Sequence, residues 1–394
     1  MLSTQSADIV RATLPVVGAH LDEITARFYT TMFADRPELL DGLFNRANQA
    51  NGEQRRALAG SIAGFAKALL DHPDERPDAL LSRIAHKHAS LAVTDDQYVI
   101  VHKYLFGAIA DVLGEAATPE VVAAWDEVYW LMGGALIAME ARLYAEKGAA
   151  DGRTWREWTV VDRRAETPDV VSFVLRPSDG DPLPALRPGQ YVSVRMRMPD
   201  GIHQIRQYSV SGGDAHTRRI TVKRVRATEN APEGEMSTLL HADTRVGDTL
   251  TVSAPFGDVV LSDGDRPLVF ATAGIGCTPV VGMLHHLAAT GATRRVLALH
   301  ADRSRAVHAL WKETSELVAA LPNAQQVVWY EEGEGGLAGQ MDLGGLEIPA
   351  DAEVYLCGPL PFMRHVRAQF LTAGVAAKDI HYEVFGPDLW LPQD

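Results

Sequence analysis

With 394 residues, of which 46% are hydrophobic, the chain is long enough for two or three domains, each with its own core. Acidic residues outnumber basic ones 51 to 37, and no basic run or basic amphipathic stripe stands out, so nucleic acid and anionic membranes are poor partners. No segment approaches roughly 18 uninterrupted apolar residues, and Asp8 and Arg11 interrupt any signal-peptide core. We expect a cytoplasmic protein without membrane insertion, and a monomer.

The sequence changes character twice, which predicts three domains. Residues 1–147 show helical spacing in stretches such as "EITARFYTTMF" and "QRRALAGSIAGFAKALL", so we expect an all-α domain there. After a small polar linker, six β-branched runs separated by Pro/Gly turns predict an antiparallel β-barrel over residues 153–262. From residue 266 to 394, apolar strand candidates alternate with helical stretches, which predicts a parallel-sheet α/β domain.

The two cysteines, Cys277 and Cys357, are too few for a disulfide framework, and their spacing is not of the zinc-binding type. Considered without their neighbours, they are expected to be small buried residues.

The stretch "RIAHKHASLAV" at 83–93 holds two histidines on a predicted helix. On that helix His88 shares an apolar face with residues three and four positions away, whereas His86 points elsewhere. His88 is therefore either a core histidine with satisfied hydrogen bonds or a metal ligand. A ligating imidazole usually donates its second N–H to an acceptor, and Tyr98 and Glu140 are candidates for that role. Each also has a simpler interpretation, Tyr98 as a core residue and Glu140 as a solvated position at a helix end.

Four segments of the helical region carry a family resemblance: "FYTTMF", "LFNRANQANGEQRRAL", "IAHKHASL" and "AWDEVYWLMGGALIAMEARLY". They resemble the globin domain of bacterial and fungal flavohemoglobins, and the similarity continues through both later regions. The resemblance implies a globin fold, an FAD-binding barrel and an NAD(P)-binding domain, with haem b, FAD and NAD(P)H as cofactors. It makes His88 the proximal haem ligand, backed by Tyr98 and Glu140.

The same resemblance assigns further residues around the haem. Tyr29 and Gln54 become the distal polar pair, and a tyrosine hydroxyl there suits bound dioxygen, which carries partial negative charge. Phe44 packs on the porphyrin, Leu58 lines the pocket, and Lys87 matches a lysine that tunes electron transfer.

A flavin site is predicted on the strand "RQYSVSG". Because a strand alternates its faces, Arg206 and Tyr208 project together, which suits pyrophosphate and the isoalloxazine ring; a solvated strand pair is the alternative. A glycine-led helix start in "GEMSTLLH" could hold phosphate. The order of these motifs looks like ferredoxin reductase-type FAD domains, whose flavin-contacting positions match Tyr191, Arg206, Gln207, Tyr208 and Ser209.

A nucleotide loop is predicted in "FATAGIGCTP", where glycines allow close backbone approach to phosphate and a proline suits a first helical turn. Proline replaces the third glycine of the full fingerprint. The resemblance makes this the NAD(P)H loop, places Cys357 and Gly358 of "YLCGPLPFM" against the nicotinamide, and brings "HYEVFGP" near the flavin; NADH and NADPH both remain open. The NAD(P)H-binding residues implied are Gly274, Ile275, Gly276, Cys277, Thr278, Pro279, Cys357 and Gly358. The residues implied near the flavin are Glu383, Val384, Phe385, Gly386 and Pro387.

Nicotinamide gives two electrons as hydride, whereas haem iron accepts one at a time, and a flavin can mediate between them because it can hold either number. The assembly predicts a nitric oxide dioxygenase, with O2 and NO as small-molecule partners and nitrate as product. A general NAD(P)H-dependent haem/flavin reductase or peroxide-handling enzyme shares every motif. Oxygen storage or sensing fits less well, since storage needs no reductase and no output domain for sensing is visible.

Overall fold

The computed structural model describes residues 1–41, 53–149, 152–229 and 232–386, with the side chains of 53–56 and 79 left out. The first part of the chain is helical. The Ser3 side chain accepts a hydrogen bond from Ser6 N at the start of the first helix, and Thr94 and Gln97 form a capping box at the fifth. The helices are α1 (Thr4–Ala19), α2 (Leu21–Asp35), α3 (Glu53–Asp71), α4 (Asp78–Leu91), α5 (Asp95–Leu113) and α6 (Pro119–Glu146).

One apolar core joins these helices. α2 packs on α3 and α5, whereas α6 packs on α1 and α4. Phe28, Met32, Phe65 and Leu81 lie in the centre of this core and are at most 1% exposed. α6 is also long and apolar enough, by length and composition, to cross a membrane, and it is the single helix among the described residues that meets this test.

Six strands close into a barrel in the order β1-β2-β5-β4-β3-β6. Phe173, Ile220 and Val222 are fully buried in it. The number of strands matches the six β-branched runs of the sequence, and a single helix, α7 (Glu235–Asp243), is inserted before the last strand. The strands are β1 (Trp155–Thr167), β2 (Val170–Pro177), β3 (Tyr191–Arg197), β4 (His203–Gly212), β5 (Arg218–Lys223) and β6 (Thr249–Ser253).

The last part of the chain is a parallel sheet in the order β10-β9-β8-β7-β11-β12, confirming the predicted α/β class. Every residue of its central strand β7 is buried, as expected for a sheet covered on both faces. The elements are β7 (Leu268–Ala273), α8 (Cys277–Ala289), β8 (Val296–Asp302), α9 (Trp311–Ala319), β9 (Ala324–Tyr330), β10 (Leu337–Ala338), β11 (Glu353–Cys357), α10 (Leu360–Thr372) and β12 (Ile380–Glu383).

The chain divides into two compact units. The first comprises residues 1–155 together with the strand-end segment 195–205, and the second comprises 156–194 and 206–394. The haem-type residues predicted from the sequence belong to the first unit, and the flavin and nucleotide residues belong to the second.

Candidate functional site

The helix α4 carries both histidines, but its most buried face is not the predicted one. Its fully buried positions include Leu81, Ala85 and Ala89, so the core-facing stripe is rotated by about one position. Alanines let α4 approach α6 closely, a contribution that the hydrophobic spacing of larger residues does not reveal. His88 lies at the edge of this stripe, and both histidines are half-buried, so burial alone does not separate them.

Hydrogen bonding does distinguish His88. Its Nδ1 lies 2.9 Å from the Tyr98 hydroxyl and 2.9 Å from Glu140 Oε1. The Tyr98 hydroxyl donates to the same carboxylate oxygen at 2.5 Å. Because Tyr98 gives its proton to Glu140, and a carboxylate only accepts, the network assigns the His88 proton to Nδ1. The lone pair of the neutral ring is then on Nε2, and we call these three residues the proximal network.

Tyr98 and Glu140 both contact Nδ1 of His88, so the proximal network engages one ring nitrogen through a buried carboxylate. Glu140 lies near the C-terminal end of α6 but is only 3% exposed, so the interpretation as a solvated residue is wrong. Burial, followed by the charge and hydrogen bond of Glu140, raises the pKa of Tyr98, which keeps its hydroxyl protonated. The side chain of His88 stays 32% exposed although Nδ1 is engaged. The described residues contain no cluster of three or more His, Cys, Asp or Glu side chains that could hold a metal ion.

The sequence missed two residues behind this network. The Tyr129 hydroxyl donates to the backbone oxygen of Tyr98 at 2.7 Å, and Gly133 lies beside the Tyr98 ring. Residues 129, 133, 136 and 140 recur at spacings of four, three and four along α6, so the helical period carried a signal for them.

The other predicted haem-pocket residues are distributed over α2, α3 and α4. Tyr29 is buried on α2, with its ring stacked 5.6 Å from that of Phe33, and burial raises its pKa. Leu58 packs against the helical core from α3, and Lys87 is half-buried beside His88. Phe44 and the side chain of Gln54 lie outside the described residues.

The predicted flavin strand is β4, where Arg206, Gln207 and Tyr208 are half-buried and Ser209 is buried. Burial lowers the pKa of Arg206, and the charge of nearby Glu235 acts in the opposite direction. Burial also raises the pKa of Tyr208, so its hydroxyl remains neutral. A half-buried guanidinium and a neutral phenol on one strand face suit a pyrophosphate and a flat aromatic ring.

Two further contacts order this part of the barrel. Gln207 donates from Nε2 to Ser193 Oγ on β3 at 3.0 Å. Tyr191 pairs through its backbone with Phe256 in both directions, at 2.8 and 2.9 Å. Helix α7 begins at Glu235 after Gly234, and no side chain caps that N-terminus. The N-terminal N–H groups of a helix attract anionic groups, and phosphate binding at this helix start stays a prediction.

The nucleotide loop runs from β7 through one 3₁₀ turn, Gly274–Gly276, into α8. The helix begins at Cys277, so Pro279 lies within its first turn, as the sequence predicts. A Cβ on Gly276 would lie 2.4 Å from the backbone oxygen of Cys357 and 2.8 Å from Gly358 N. The sequence predicts that Gly276 allows the backbone to approach a phosphate. The structure shows that its missing side chain also lets this loop contact the backbone of Cys357 and Gly358.

Gly274 is the glycine that faces open space. Its φ of +54° is in the left-handed region, and a Cβ there would meet Lys223 Nζ at 4.0 Å and nothing nearer. Lys223 was not singled out from the sequence, because a lone lysine at a strand end carries no signal. Thr278 donates from Oγ1 to the Ile275 oxygen at 3.1 Å and so ties the loop to the helix. An accessible backbone turn beside a lysine fits a nucleotide phosphate.

The companion strands bring the remaining predicted residues together. Cys357 ends β11 and pairs with Thr272 of β7 on one side and Glu383 of β12 on the other. Burial, then the charge of Glu383, raises the pKa of the Cys357 thiol, and burial raises that of Cys277 to about 12, so both thiols are neutral. Both cysteines are buried, as composition predicted. Val384 packs on the sheet core, Phe385 is 50% exposed, Gly386 follows it, and Pro387 lies outside the described residues.

Comparison with known families defines the class of protein. A globin model matches residues 26–136, an oxidoreductase FAD-binding domain model matches 157–260, and an oxidoreductase NAD-binding domain model matches 270–368. The chain is therefore an oxidoreductase in which a globin is joined to flavin- and nicotinamide-binding domains. This confirms the predicted cofactor classes of haem, FAD and nicotinamide nucleotide.

Full-length relatives narrow the class to one family. The chain is 42% identical to the flavohemoprotein of Bordetella pertussis over 98% of this chain and 99% of the relative, and 40% identical to that of Chromobacterium violaceum over 98% of both. The crystal structure of a flavohemoglobin from Malassezia yamatoensis with bound FAD and heme superposes with a TM-score of 0.92 at 42% identity, covering 98% and 100% of the two chains. The chain belongs to the flavohemoprotein family, as its motifs predicted.

The reductase part also matches a separately solved structure. The FAD/NAD-binding domain of a nitric oxide dioxygenase from Vibrio cholerae is 38% identical, covers 60% of this chain and all of its own, and superposes with a TM-score of 0.56.

Proposed function

We propose that this flavohemoprotein is a nitric oxide dioxygenase that combines NO with O2 to give nitrate and uses NAD(P)H as the reductant. The observation that carries the proposal is the proximal network, a histidine hydrogen-bonded to a buried carboxylate, in one chain with a flavin and nicotinamide reductase. The Vibrio cholerae neighbour, named as a nitric oxide dioxygenase, supports it. We assign haem to residues 1–147, FAD to 153–262 and nucleotide to 266–394.

On the proximal side, His88 Nε2 would hold the haem iron while Glu140 and Tyr98 hold Nδ1. A carboxylate partner gives the imidazole more anionic character and makes it a stronger electron donor. When bound, haem supplies the iron at which O2 and NO meet, and each NO consumed requires one electron from the reductase. The proximal network would favour this reaction because His88, held by Glu140 and Tyr98, would be a strongly donating ligand to the iron.

On the distal side, Tyr29 would donate a hydrogen bond to bound oxygen. Burial raises its pKa, so its hydroxyl keeps the proton that it must donate. We propose Gln54 as the second distal polar group, Phe44 and Leu58 as apolar walls of the pocket, and Lys87 as a residue that tunes electron transfer.

In the reductase, Arg206 would bind the FAD pyrophosphate while Tyr208 stacks on the flavin, with Tyr191, Gln207 and Ser209 as further flavin contacts. The loop from Gly274 through Pro279 would hold the NAD(P)H phosphates. The nicotinamide would lie near Cys357 and Gly358, and the segment from Glu383 to Pro387 near the flavin. When bound, the flavin accepts a hydride and releases single electrons.

We also propose that the protein is a cytoplasmic monomer and does not bind nucleic acid or insert into membranes.

The test supplies NO, O2 and NAD(P)H to the FAD- and haem-replete protein and follows all three together with nitrate. We expect NO to be consumed only when O2 and NAD(P)H are both present, with one nitrate formed for each NO. His86→Ala is the matched control for His88→Ala, since His86 lies two positions from His88 and is not part of the proximal network. NAD(P)H oxidation that ignores NO and yields superoxide or peroxide would overturn the proposal in favour of a general reductase.

A further inference from the structure

Aromatic side chains continue from the proximal network to the surface of the first unit. The ring centroids of His88 and Tyr98 are 6.0 Å apart. Tyr129 donates to the backbone of Tyr98 at 2.7 Å, and its ring lies 5.2 Å from that of Trp130 at an interplanar angle of 89°. Trp130 is 37% exposed. We call Tyr98, Tyr129 and Trp130 the aromatic relay, since they form a continuous path from His88 to solvent.

All three rings of the aromatic relay lie close to Gly133. A Cβ placed on Gly133 would lie 3.4 Å from Tyr98 Cδ1 and 3.8 Å from both Tyr129 Cε1 and Trp130 Cε3. The distance between any two of these ring atoms therefore cannot exceed the sum of their two distances to that Cβ. Electron transfer between side chains falls off exponentially with distance, so short gaps between easily oxidised rings favour transfer in single-electron steps.

Both ends of the aromatic relay are suited to losing an electron. At the inner end, Tyr98 already donates its hydroxyl proton to Glu140 at 2.5 Å, so the carboxylate can take that proton when the ring is oxidised. At the outer end, the His102 ring stacks on Trp130 at 5.2 Å and 28°, and its Nε2 lies 2.6 Å from Asp126 Oδ1. Asp126 therefore lies one ring away from the indole, with His102 between them, and its negative charge favours positive charge that develops on Trp130.

We propose that the aromatic relay carries single electrons from Trp130 to the haem site after peroxide has oxidised it, and that Trp130 then oxidises phenolic donors at the protein surface. Each H2O2 accepts two electrons and two protons and gives two waters. Two phenols supply these in successive one-electron, one-proton steps, and each leaves as a phenoxyl radical. The inference rests on haem binding at His88, which is part of the proposed function, but not on NO dioxygenation.

The experiment treats ferric, haem-loaded full-length protein with H2O2 and a spin trap, without NAD(P)H, and locates the adduct by peptide mass spectrometry. We expect the adduct at Trp130. Trp130→Phe retains a ring but removes the oxidisable indole, so it should lose the adduct, lose phenol oxidation and bleach its haem faster. Trp125→Phe is the matched control, because Trp125 is a buried tryptophan on the same helix that donates to Thr13 and is not part of the relay. It should behave like the unmodified protein.

Two results would overturn the aromatic relay: an equal Trp130 adduct in haem-free protein, which would reflect solvent exposure alone, or phenol oxidation that survives Trp130→Phe. Haem content is measured first in every variant. Haem-loaded protein that gives no Trp130 adduct contradicts the relay and leaves NO dioxygenation intact. Protein that gives the adduct but forms no nitrate from NO supports the relay and contradicts the proposed function.

Discussion

The proximal network and the nucleotide loop hold their functional atoms in different ways. Around His88, side chains from three helices converge through hydrogen bonds of 2.5 to 2.9 Å. Between β7 and β11, two backbones converge, because Gly276 lets its loop approach the Cys357 oxygen. A side-chain network can accept substitutions that preserve its hydrogen bonds, whereas a backbone contact excludes every side chain. The two regions should therefore respond to mutation by different rules.

The largest effect is expected at the backbone contact. Gly276→Ala places a Cβ 2.4 Å from the Cys357 oxygen, so the loop after β7 or the end of β11 must shift, and we expect a loss of about 3 kcal/mol or more of stability. Gly274→Ala is the matched control: its Cβ meets open space, and its positive φ costs about 1–2 kcal/mol. Urea unfolding with hydrogen exchange of β7 and β11 measures both. Equal destabilisation by the two variants would show that the loops do not depend on close contact.

The next effect tests whether the proximal network depends on hydrogen bonds rather than shape. Glu140→Leu leaves the buried donors of His88 and Tyr98 without their acceptor, which should cost about 2–4 kcal/mol. Glu140→Gln retains an acceptor oxygen and should cost less. Adding Tyr98→Phe to Glu140→Leu removes one of the orphaned donors, so the double variant should be less destabilised than the two changes summed. Thermal unfolding of haem-free protein gives the order, and a leucine variant as stable as the glutamine variant would refute it.

Tyr29 extends the comparison to the distal side, where a single hydroxyl is proposed to act. A hydrogen bond to partly charged oxygen is worth about 1.5–3 kcal/mol, so Tyr29→Phe should speed oxygen dissociation about ten- to a hundredfold. Stopped-flow displacement of oxygen from the reduced protein measures the rate. An unchanged rate would remove Tyr29 from the distal site.

The smallest effect concerns a side-chain network within the second unit, where Arg219 Nη1 and His285 Nε2 lie 2.8 and 2.5 Å from the Glu313 carboxylate. Although burial acts to raise the pKa of Glu313, hydrogen bonds from His285 and Arg219 lower it to about 2. A lowered carboxyl pKa gives stability that is complete above the ordinary value near 4.5 and is lost as pH falls towards 2.

Glu313→Gln should therefore lower stability by on the order of 2 kcal/mol at pH 7, after allowance for screening at this partly exposed group, and change it little near pH 2. Urea midpoints across this pH range provide the measurement. A variant with the same deficit at every pH would mean that the charge of Glu313 is not involved.

The sequence predicted the parts of this molecule whose signals are local. Six β-branched runs correspond to the six barrel strands, and the glycine loop was located because strand, turn and helix follow one another. The two-residue strand β10 was missed since it has no periodicity to detect. The face of α4 was misplaced by about one position, because small alanines rather than large apolar residues determine its closest packing.

Contacts between distant residues could not be predicted from local pattern. His88 and Glu140 are 52 positions apart, and Tyr98 and Glu140 are 42 apart, so only the family resemblance suggested that they act together. The sequence places Gly276 in the loop and explains it by close approach to phosphate. Its contact with Cys357 could not be predicted, because Cys357 ends a strand that is distant in the sequence and neighbouring in the sheet. Tyr129 could not be predicted, because its hydroxyl donates to the backbone oxygen of Tyr98 and is not part of a recognisable sequence motif.

The proposed function depends on Glu140 and Tyr98 holding His88 so that Nε2 binds the haem iron. Resonance Raman spectroscopy of the iron–histidine stretching band in the ferrous, haem-loaded protein tests it most directly. We predict a band that moves to lower frequency in Glu140→Gln, because the imidazole loses its carboxylate partner, and that is unchanged in His86→Ala. A band that does not move in Glu140→Gln would show that the carboxylate does not act on the iron ligand, and a band that disappears in His86→Ala but persists in His88→Ala would show that His88 is not that ligand.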